Sequence, residues 1–490
     1  MIARTPAGRL EGIAQDGVTA FVGIPYARPP VGPRRWLPPE PPATWAGTRP
    51  ATKAPPAPPQ PTTGAPGAAT LPGTDVELTH EDCLYLNVWA PTRATSAPVM
   101  VWLPGGAFLT GGAATPLYDG TRLAVRRGVV VVTVTYRVGA LGFAAVAGAA
   151  PNRGLLDQVA ALRWVHNSID AFGGDAGNVT VFGESAGGGS VVHHLTMPLA
   201  HGLFRRAIVQ SGATDHTLTA EQAGSVAERF ASALGHDLDA PVEAVIGAQH
   251  EAMLAAMVEI GPMPFHPFVD GEVIPTRPIA AMPGAGVDLL IGTTRDEMRM
   301  FLDPRAAELD RDRVVRRVGR YLATLGAPDN CAESLVASYD ADPHLPSAGD
   351  TWSAIQTDGE MRRPADAMAE AHVKGGPTFV YRFDQPLAGR LAHLWACHAS
   401  DLPYPFGTVD LAGWPEVAGP GAVRLSATMQ AAWAAFARAG DPSCDEVGEW
   451  PAYDLEQRPT MLLAPEPRVV DDPDGDRRRR WAELVPMLGS

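Results

Sequence analysis

The sequence predicts an α/β fold with a mostly parallel central sheet and helices on both of its faces. Three observations support this prediction. Uninterrupted apolar segments rich in β-branched residues recur along the chain, as they do in buried parallel strands. An amphipathic segment at helical spacing lies between two of them. Finally, an apolar strand pattern stops at a serine among glycines and is followed by a run without Gly or Pro, which is typical of a sharp strand-to-helix turn.

The individual elements follow from local patterns. Short apolar or alternating segments suggest strands within residues 10–21 and at 84–89. Buried strands are predicted next, at residues 99–103, 129–136, 179–182 and 207–210. Residues 155–171 supply a crossover helix before the third of these strands. Further helices are predicted at residues 217–234, 306–325 and 427–438, and a late strand at 378–383.

Composition argues against several classes of partner. The chain has 39 Lys and Arg against 54 Asp and Glu, a net charge of −15, so we expect neither nucleic acid nor an anionic membrane as a partner. The first residues lack the apolar core of an export signal, and no segment approaches bilayer-spanning length, so a cytoplasmic location is expected. The four cysteines form no C-x-x-C pair and are expected to be reduced thiols.

The glycine-flanked serine is the strongest candidate for chemistry. Ser185 has Gly183 and Gly187 two positions before and after it, and a nucleophile elbow requires small residues there. The following helix would direct its N-terminal amides toward a developing oxyanion. The alternative is a glycine-rich loop that happens to contain a serine, and the apolar strand before Ser185 argues against it. Ser185 is therefore the predicted nucleophile.

A serine nucleophile needs a base and an acid that orients the base. In sheets with such an elbow the two follow the serine in the order acid, then histidine. Among thirteen histidines, His398 is selected because it follows a predicted strand and opens an irregular segment. Glu297 is the predicted acid, since an apolar strand ends at residue 292 just before it, and Asp296 is its competitor.

Several longer motifs also occur in a fixed order along nearly the whole chain. They are residues 8–12 (GRLEG), 23–27 (GIPYA), 81–88 (EDCLYLNV), 136–143 (YRVGALGF), 172–175 (FGGD), 210–212 (QSG), 295–297 (RDE), 436–438 (FAR) and 450–453 (WPAY). In these motifs the chain resembles the type B carboxylesterase family, which includes bacterial para-nitrobenzyl esterases and the cholinesterases. The resemblance implies an α/β-hydrolase fold with lid-like insertions. We expect a single catalytic domain over residues 1–490, with the Pro/Gly-rich stretch at about 49–73 as a surface loop.

The resemblance also implies roles for particular residues. Ser185 would be the nucleophile, Glu297 the acid and His398 the general base of a carboxylic-ester hydrolase that works through a covalent acyl-enzyme. The oxyanion hole would consist of the backbone amides of Gly106, Ala107 and Ala186. No metal or organic cofactor is implied. The implied partner is a small-molecule ester, and the implied assembly is a monomer or a small homo-oligomer.

The chain departs from the family pattern at three positions. Pro104 stands where relatives commonly carry histidine, and because the implied amide donors lie two and three residues later, the oxyanion hole should survive. Met298 replaces a usual glycine after the acid. The preceding loop offers no cysteine to pair with Cys83, so the family's first disulfide is expected to be absent here.

Substrate and reaction type stay open at this point. An apolar substrate pocket has four candidate residues, for each of which ordinary core packing is an equal alternative: Phe108, Met298, Phe301 and Phe406. The same triad also suits an amide or carbamate hydrolase or an acyltransferase, since these reactions share the acyl-enzyme. A non-catalytic, esterase-like binding protein is the alternative from another functional class.

Overall fold

Two β-sheets and a surrounding set of helices make up the computed structural model, which describes residues 1–61, 71–76, 78–213, 217–257, 259–261, 263–411 and 413–485. The strands of these residues are β1 (Ile2–Thr5), β2 (Gly8–Glu11), β3 (Ile13–Gln15), β4 (Val18–Pro25), β5 (Thr48–Pro50), β6 (Tyr85–Pro91), β7 (Ala97–Leu103), β8 (Val130–Val134), β9 (Gly174–Glu184), β10 (Arg206–Gln210), β11 (Asp288–Thr294), β12 (Thr378–Phe383), β13 (Pro459–Leu463) and β14 (Arg468–Asp471).

The helices surround the larger sheet. They are α1 (Thr121–Arg127), α2 (Gly139–Phe143), α3 (Arg153–Ser168), α4 (Ala186–Thr196), α5 (Ala220–Ala233), α6 (Val242–Ala256), α7 (Pro278–Ala281), α8 (Arg311–Thr324), α9 (Ala332–Ala337), α10 (Ala348–Thr357), α11 (Arg363–His372), α12 (Pro403–Phe406), α13 (Ala422–Ala439) and α14 (Gly475–Leu484). A single π-helical turn, Asp358–Arg362, joins α10 to α11. Within the part of the chain that the structure describes, we found no helical stretch with the length and apolar character that crossing a bilayer needs.

The larger sheet is parallel at its centre and antiparallel at both edges. Its strand order is β14-β13-β12-β11-β10-β9-β7-β8-β6-β4-β3 among the described residues. Seven neighbouring strands pair in parallel, and in their order across the sheet they are β8, β7, β9, β10, β11, β12 and β13. The strands β14, β6, β4 and β3 pair antiparallel. The predicted α/β fold with a mostly parallel sheet is therefore confirmed, and β1, β2 and β5 form the separate small sheet.

Alternating side chains of the central strands enter two cores, one on each face of the sheet. In β7, Val101 and Leu103 point to the face covered by α3 and α4, while Met100 and Trp102 point to the face covered by α13. Each of these four side chains has no exposed surface. Because both faces are covered by helices, the strands carry apolar residues at consecutive positions, and this is the pattern that made them recognisable in the sequence.

A third, smaller core lies among helices that follow β11 in the chain. It contains Val318 of α8, Tyr339, Ile355 of α10 and Trp481 of α14. All four side chains are almost completely buried. The pattern predicted a helix over residues 306–325, and the structure divides this stretch into a 3₁₀ segment, Pro304–Glu308, followed by α8.

The described part of the segment at 49–73 is partly exposed and partly packed against the sheet. Its first two residues belong to β5, and Thr52 forms an isolated bridge with Val22. Ala51 and Ala57 are buried, because the described part of the segment packs against the sheet. Residues 62–70, which hold much of its Pro, Ala, Thr and Gly, lie outside the described residues.

Candidate active site

Ser185 lies at the tip of the turn between β9 and α4. Its backbone angles are φ 54° and ψ −124°, a conformation that is costly for a residue with a side chain. The flanking glycines permit it: a Cβ at Gly187 would overlap the carbonyl oxygen of Leu103, and a Cβ at Gly183 would collide with the backbone of Gly187. The Ser185 N–H donates to the carbonyl of Gln210 at 2.9 Å. The predicted strand-turn-helix junction is present.

His398 lies on the loop after β12, with its imidazole between two carboxylates. Nδ1 lies 2.6 Å from Oε2 of Glu297, and Nε2 lies 3.3 Å from Oε1 of Glu184. Because Glu184 immediately precedes Ser185, the Nε2 edge of the imidazole lies beside the elbow. The structure therefore brings together three segments that lie more than 100 residues apart in the chain.

Glu297, and not its competitor Asp296, contacts the histidine. The second Glu297 oxygen, Oε1, accepts the N–H of Thr294 at 2.7 Å. Asp296 instead accepts the N–H of Ala396 at 3.3 Å. The turn that carries the acid and the loop that carries the base are also joined by main-chain bonds, since the His398 N–H donates to the Glu297 carbonyl at 3.1 Å. These bonds fix the two side chains relative to each other.

The two carboxylates have opposite shifts in pKa. Burial raises the pKa of Glu184 to about 8, an effect that His398 opposes and that Asp401 and Glu297 strengthen. Burial also favours the neutral form of Glu297, but His398 and the hydrogen bonds that Glu297 accepts lower its pKa below the usual value. For His398, burial lowers the pKa, and the carboxylates of Glu184 and Glu297 outweigh it, so the pKa rises to about 9.

A buried polar network below the histidine was not predicted from the sequence. Gln210 Nε2 donates to Oδ2 of Asp401 at 2.9 Å, and the indole N–H of Trp433 donates to the Gln210 side-chain oxygen at 3.1 Å. Burial raises the pKa of Asp401 to about 6. Both Asp401, three residues after His398, and Glu184, next to the nucleophile, are acids close in sequence to predicted catalytic residues, and that proximity is the signal that could have identified them.

Three backbone amides lie near the elbow without a partner. The loop after β7 passes through Gly106 at φ 120° and Ala107 at φ 57°, and a Cβ at Gly105 would lie 3.1 Å from the Cβ of Ser185. The amides of Gly106, Ala107 and Ala186 donate no hydrogen bond to another described residue. They are thus free to donate to a ligand at this position, and the oxyanion-hole role that the resemblance implies for them stays a prediction.

Pro104 contributes a backbone acceptor to this loop. Its carbonyl accepts the hydroxyl of Tyr136 at 2.6 Å, and a carbonyl acceptor is available from any residue type. The Met298 backbone is held as well, since its N–H donates to Oγ1 of Thr357 at 3.1 Å. Cys83 is a buried free thiol, as expected from the missing loop cysteine.

The candidate pocket residues occupy different environments. The Phe301 ring lies 5.5 Å from the His398 imidazole, centroid to centroid, and Phe108 lies against the start of α4, where a Cβ at Gly189 would be 3.5 Å from its ring. Met298 is partly buried beside the acid. Phe406 has no exposed surface and packs against Trp102 in the core on the α13 face of the sheet, which matches the core-packing alternative for this residue.

Comparison with known protein families covers nearly the whole chain. A sequence profile described as the carboxylesterase family matches residues 1–481. The chain belongs to the carboxylesterase family. This carboxylesterase is accordingly a serine carboxylic-ester hydrolase by class, and its sheet is that of an α/β-hydrolase.

Named relatives and solved structures resemble this carboxylesterase over nearly their full lengths. It is 39% identical to the para-nitrobenzyl esterase of Bacillus subtilis (strain 168), covering 100% of this chain and 99% of the relative. It is 33% identical to the phenmedipham hydrolase of Pseudarthrobacter oxydans, covering 95% of each. A solved PNB esterase superposes with a TM-score of 0.84 at 39% identity, and a Geobacillus stearothermophilus carboxylesterase with 0.85 at 36%; both cover 98% of this chain and 99% of theirs.

Other histidines near the elbow of this carboxylesterase have structural partners. His193 contacts the Gly189 carbonyl through Nδ1 at 2.7 Å and the Thr217 hydroxyl through Nε2 at 3.2 Å. Nε2 of His194 lies 2.7 Å from the side-chain oxygen of Gln158. Both side chains are buried, and burial lowers the pKa of each to about 4 and about 3, respectively, so both are neutral near pH 7.

Proposed function

We propose that this chain hydrolyses small carboxylic esters with Ser185 as nucleophile, His398 as general base and Glu297 as the acid that orients it. The observation that carries this proposal is the position of the imidazole: its Nδ1 edge is bonded to Glu297 and its Nε2 edge lies beside the elbow. A histidine acting on a serine needs this arrangement, because one nitrogen must be fixed while the other exchanges protons.

The first half of the reaction forms the acyl-enzyme. His398 takes the proton of the Ser185 hydroxyl while the serine oxygen attacks the ester carbonyl. Glu297, whose pKa is lowered by the charge of His398 and by the hydrogen bonds it accepts, stabilises the imidazolium that results. The imidazolium then donates its proton to the alkoxy oxygen, and the bond between that oxygen and the acyl carbon breaks. The alcohol leaves with the alkoxy oxygen, and the acyl group stays on Ser185.

The second half repeats the steps with water. His398 takes a proton from a water molecule that attacks the acyl-enzyme, and the serine oxygen leaves with the proton. In both halves the oxyanion accepts hydrogen bonds from the amides of Gly106, Ala107 and Ala186. Each such donor is worth about 2.7 to 4 kcal/mol of barrier in a preorganised site, which is why unpartnered amides beside a serine support this assignment.

Substrate choice is proposed from the relatives' names and from the apolar surroundings of the site. Relatives are named as esterases of para-nitrobenzyl esters and of cocaine, so aromatic esters are the first substrates to test. Phe301 and Phe108, which lie near His398 and α4, are proposed to line the pocket for the acyl or alcohol group. We further propose that residues 1–490 form a single catalytic domain. The larger sheet supports this, because its strands come from nearly the whole chain, from β3 to β14.

Substitution of Ser185 tests the proposal directly. Ser185→Ala is expected to abolish hydrolysis of a short p-nitrophenyl ester and to abolish covalent labelling by an organophosphate, read by mass spectrometry of the labelled peptide. Ser334→Ala, at an exposed position on α9, is the matched control and should retain both. Full activity in Ser185→Ala would place the chemistry elsewhere, and a wild-type protein without labelling or turnover would favour the non-catalytic binding protein.

A further inference from the structure

The segment from α10 through the π-helical turn to α11 lies against the turn that carries Glu297. The π turn, Asp358–Arg362, lies between two regular helices, and such single π turns are frequent at functional sites. Gly359 in this turn approaches α8 so closely that a Cβ would overlap the hydroxyl of Tyr321. The turn therefore has little freedom to shift.

Arg362, the last residue of the π turn, holds the backbone just before Glu297. Its guanidinium donates to the carbonyl of Arg295 at 2.8 Å and to that of Thr294 at 3.3 Å. The same Thr294 donates its N–H to Oε1 of Glu297 at 2.7 Å. The backbone of Thr294 is thus bonded through its N–H to the Glu297 carboxylate and through its carbonyl to the rigid, planar guanidinium of Arg362.

Thr357, the last residue of α10, holds the backbone just after Glu297. Its hydroxyl oxygen accepts the N–H of Met298 at 3.1 Å, and the side chain is almost completely buried. The backbone on either side of Glu297 is therefore held by two side chains of one helical element, Thr357 and Arg362, which lie five positions apart in the chain. Neither side chain is bonded to Glu297 itself.

Arg362 is itself held in place by residues of the third core. Asp358 Oδ1 accepts from Arg362 at 2.6 Å, and Asp358 Oδ2 accepts the hydroxyl proton of Tyr339 at 2.6 Å. The Tyr339 oxygen in turn accepts the indole N–H of Trp481 at 2.9 Å. A buried charged pair whose remaining lone pairs are satisfied holds its geometry well, so Arg362 is oriented by residues of α14 and of the segment after α9.

We propose that Thr357 and Arg362 are positioning residues that hold Glu297 in register with His398. The proposal rests on the function proposed above, because it assigns to these residues an effect on the acid of the triad. Neither touches the substrate. They act through the main chain on either side of Glu297, and a misplacement of about 1 Å in a catalytic constellation can cost about a hundredfold in rate.

Thr357→Val is the cleaner of two test substitutions, because valine keeps the shape of threonine and removes only the acceptor for Met298. We expect kcat for a short p-nitrophenyl ester to fall by about ten- to a hundredfold, with KM nearly unchanged. Thr357→Ser restores the acceptor and should recover most of the loss. Thr324→Val, at the exposed end of α8, is the matched control. Arg362→Lys, which keeps the charge but loses the planar fork, should lower kcat as well.

A double-mutant cycle with Glu297→Gln separates positioning from general damage to the fold. If Thr357 acts through Glu297, its substitution should cost less than about twofold when made in the Glu297→Gln enzyme. An equal fold-loss in both backgrounds would overturn the inference, and so would full activity of Thr357→Val. Full activity of Glu297→Gln alone would instead overturn the proposed triad, so the two failures are distinguishable. Circular dichroism and the melting temperature verify that each variant is folded.

Discussion

Glu184 offers the sharpest test of the electrostatics around His398. We predict that Glu184→Gln moves the acid limb of the pH dependence of kcat/KM to lower pH. That limb follows the pKa of His398 in the free enzyme, because only the neutral imidazole accepts the proton of Ser185. A negative neighbour stabilises the imidazolium and raises this pKa. Glutamine keeps the size of the side chain and removes the charge, so the pKa should fall.

The distance between the two groups sets the magnitude. Glu184 Oε1 lies 3.3 Å from His398 Nε2, and two unit charges at that separation attract by about 5 kcal/mol at an effective dielectric constant of about 20. One pKa unit corresponds to about 1.4 kcal/mol, so full ionisation would be worth about three units or more. Glu184 is itself protonated below a pKa of about 8, and Glu297 supplies part of the rise to about 9. We therefore expect a downward shift of about one to two units.

The assay is a pH series of initial rates with a short p-nitrophenyl ester, read at a wavelength where both forms of p-nitrophenol absorb equally. Wild-type enzyme should show its acid-limb midpoint above 6.5, which is the ordinary pKa of a histidine side chain. Glu449→Gln, at an exposed position, is the control and should leave the midpoint unchanged. A Glu184→Gln midpoint equal to that of the wild type would refute the reasoning, even if the overall rate fell.

Three further substitutions test the fold and the elbow. Gly187→Ala forces a Cβ onto the Leu103 carbonyl and should lower the free energy of unfolding by about 1 to 3 kcal/mol in urea titrations, with loss of esterase activity. Asp157→Ala leaves the buried Arg137 without the carboxylate it contacts at 2.7 Å and should cost about 3 to 5 kcal/mol in the same titration; a loss below 1 kcal/mol would contradict this. Trp481→Ala empties the third core and should cost about 3 to 5 kcal/mol, with kcat reduced in the protein that remains folded at low temperature.

The central sheet and the elbow were predictable because their signals are local. A buried strand such as β8 needs apolar residues at consecutive positions, and the five valines among residues 129–134 show this directly. The elbow is equally local, since the glycines that permit the backbone of Ser185 lie two positions away. Choosing between Glu297 and Asp296 as the acid was harder. Adjacent residues in a turn point in different directions, and only the main-chain bonds of that turn decide which one reaches His398.

What escaped prediction depends on contacts between distant segments. Gln210, Asp401 and Trp433 meet only when β10, the loop after β12 and α13 are assembled, and no pattern in any one segment indicates the network. The sequence left both a pocket and a core role open for Phe406, because an apolar ring suits either equally well. Phe406 is the last residue of the short helix α12, which Gly407 follows with φ 77°, and the Phe406 ring packs against Trp102 in the core on the α13 face of the sheet. The π turn likewise depends on packing against Tyr321 of α8, and no local sequence pattern indicates that contact.

The anchoring of Glu297 through Asp358, Tyr339 and Trp481 has a consequence for biosynthesis. Residue 481 leaves the ribosome after Ser185, Glu297 and His398 have all been translated. The nascent polypeptide can thus build its elbow early, while the support for the acid is completed only when the indole of Trp481 reaches the Tyr339 hydroxyl. We expect ribosome-tethered chains that end before residue 481 to hydrolyse esters poorly, so that maturation of activity coincides with docking of the last helix.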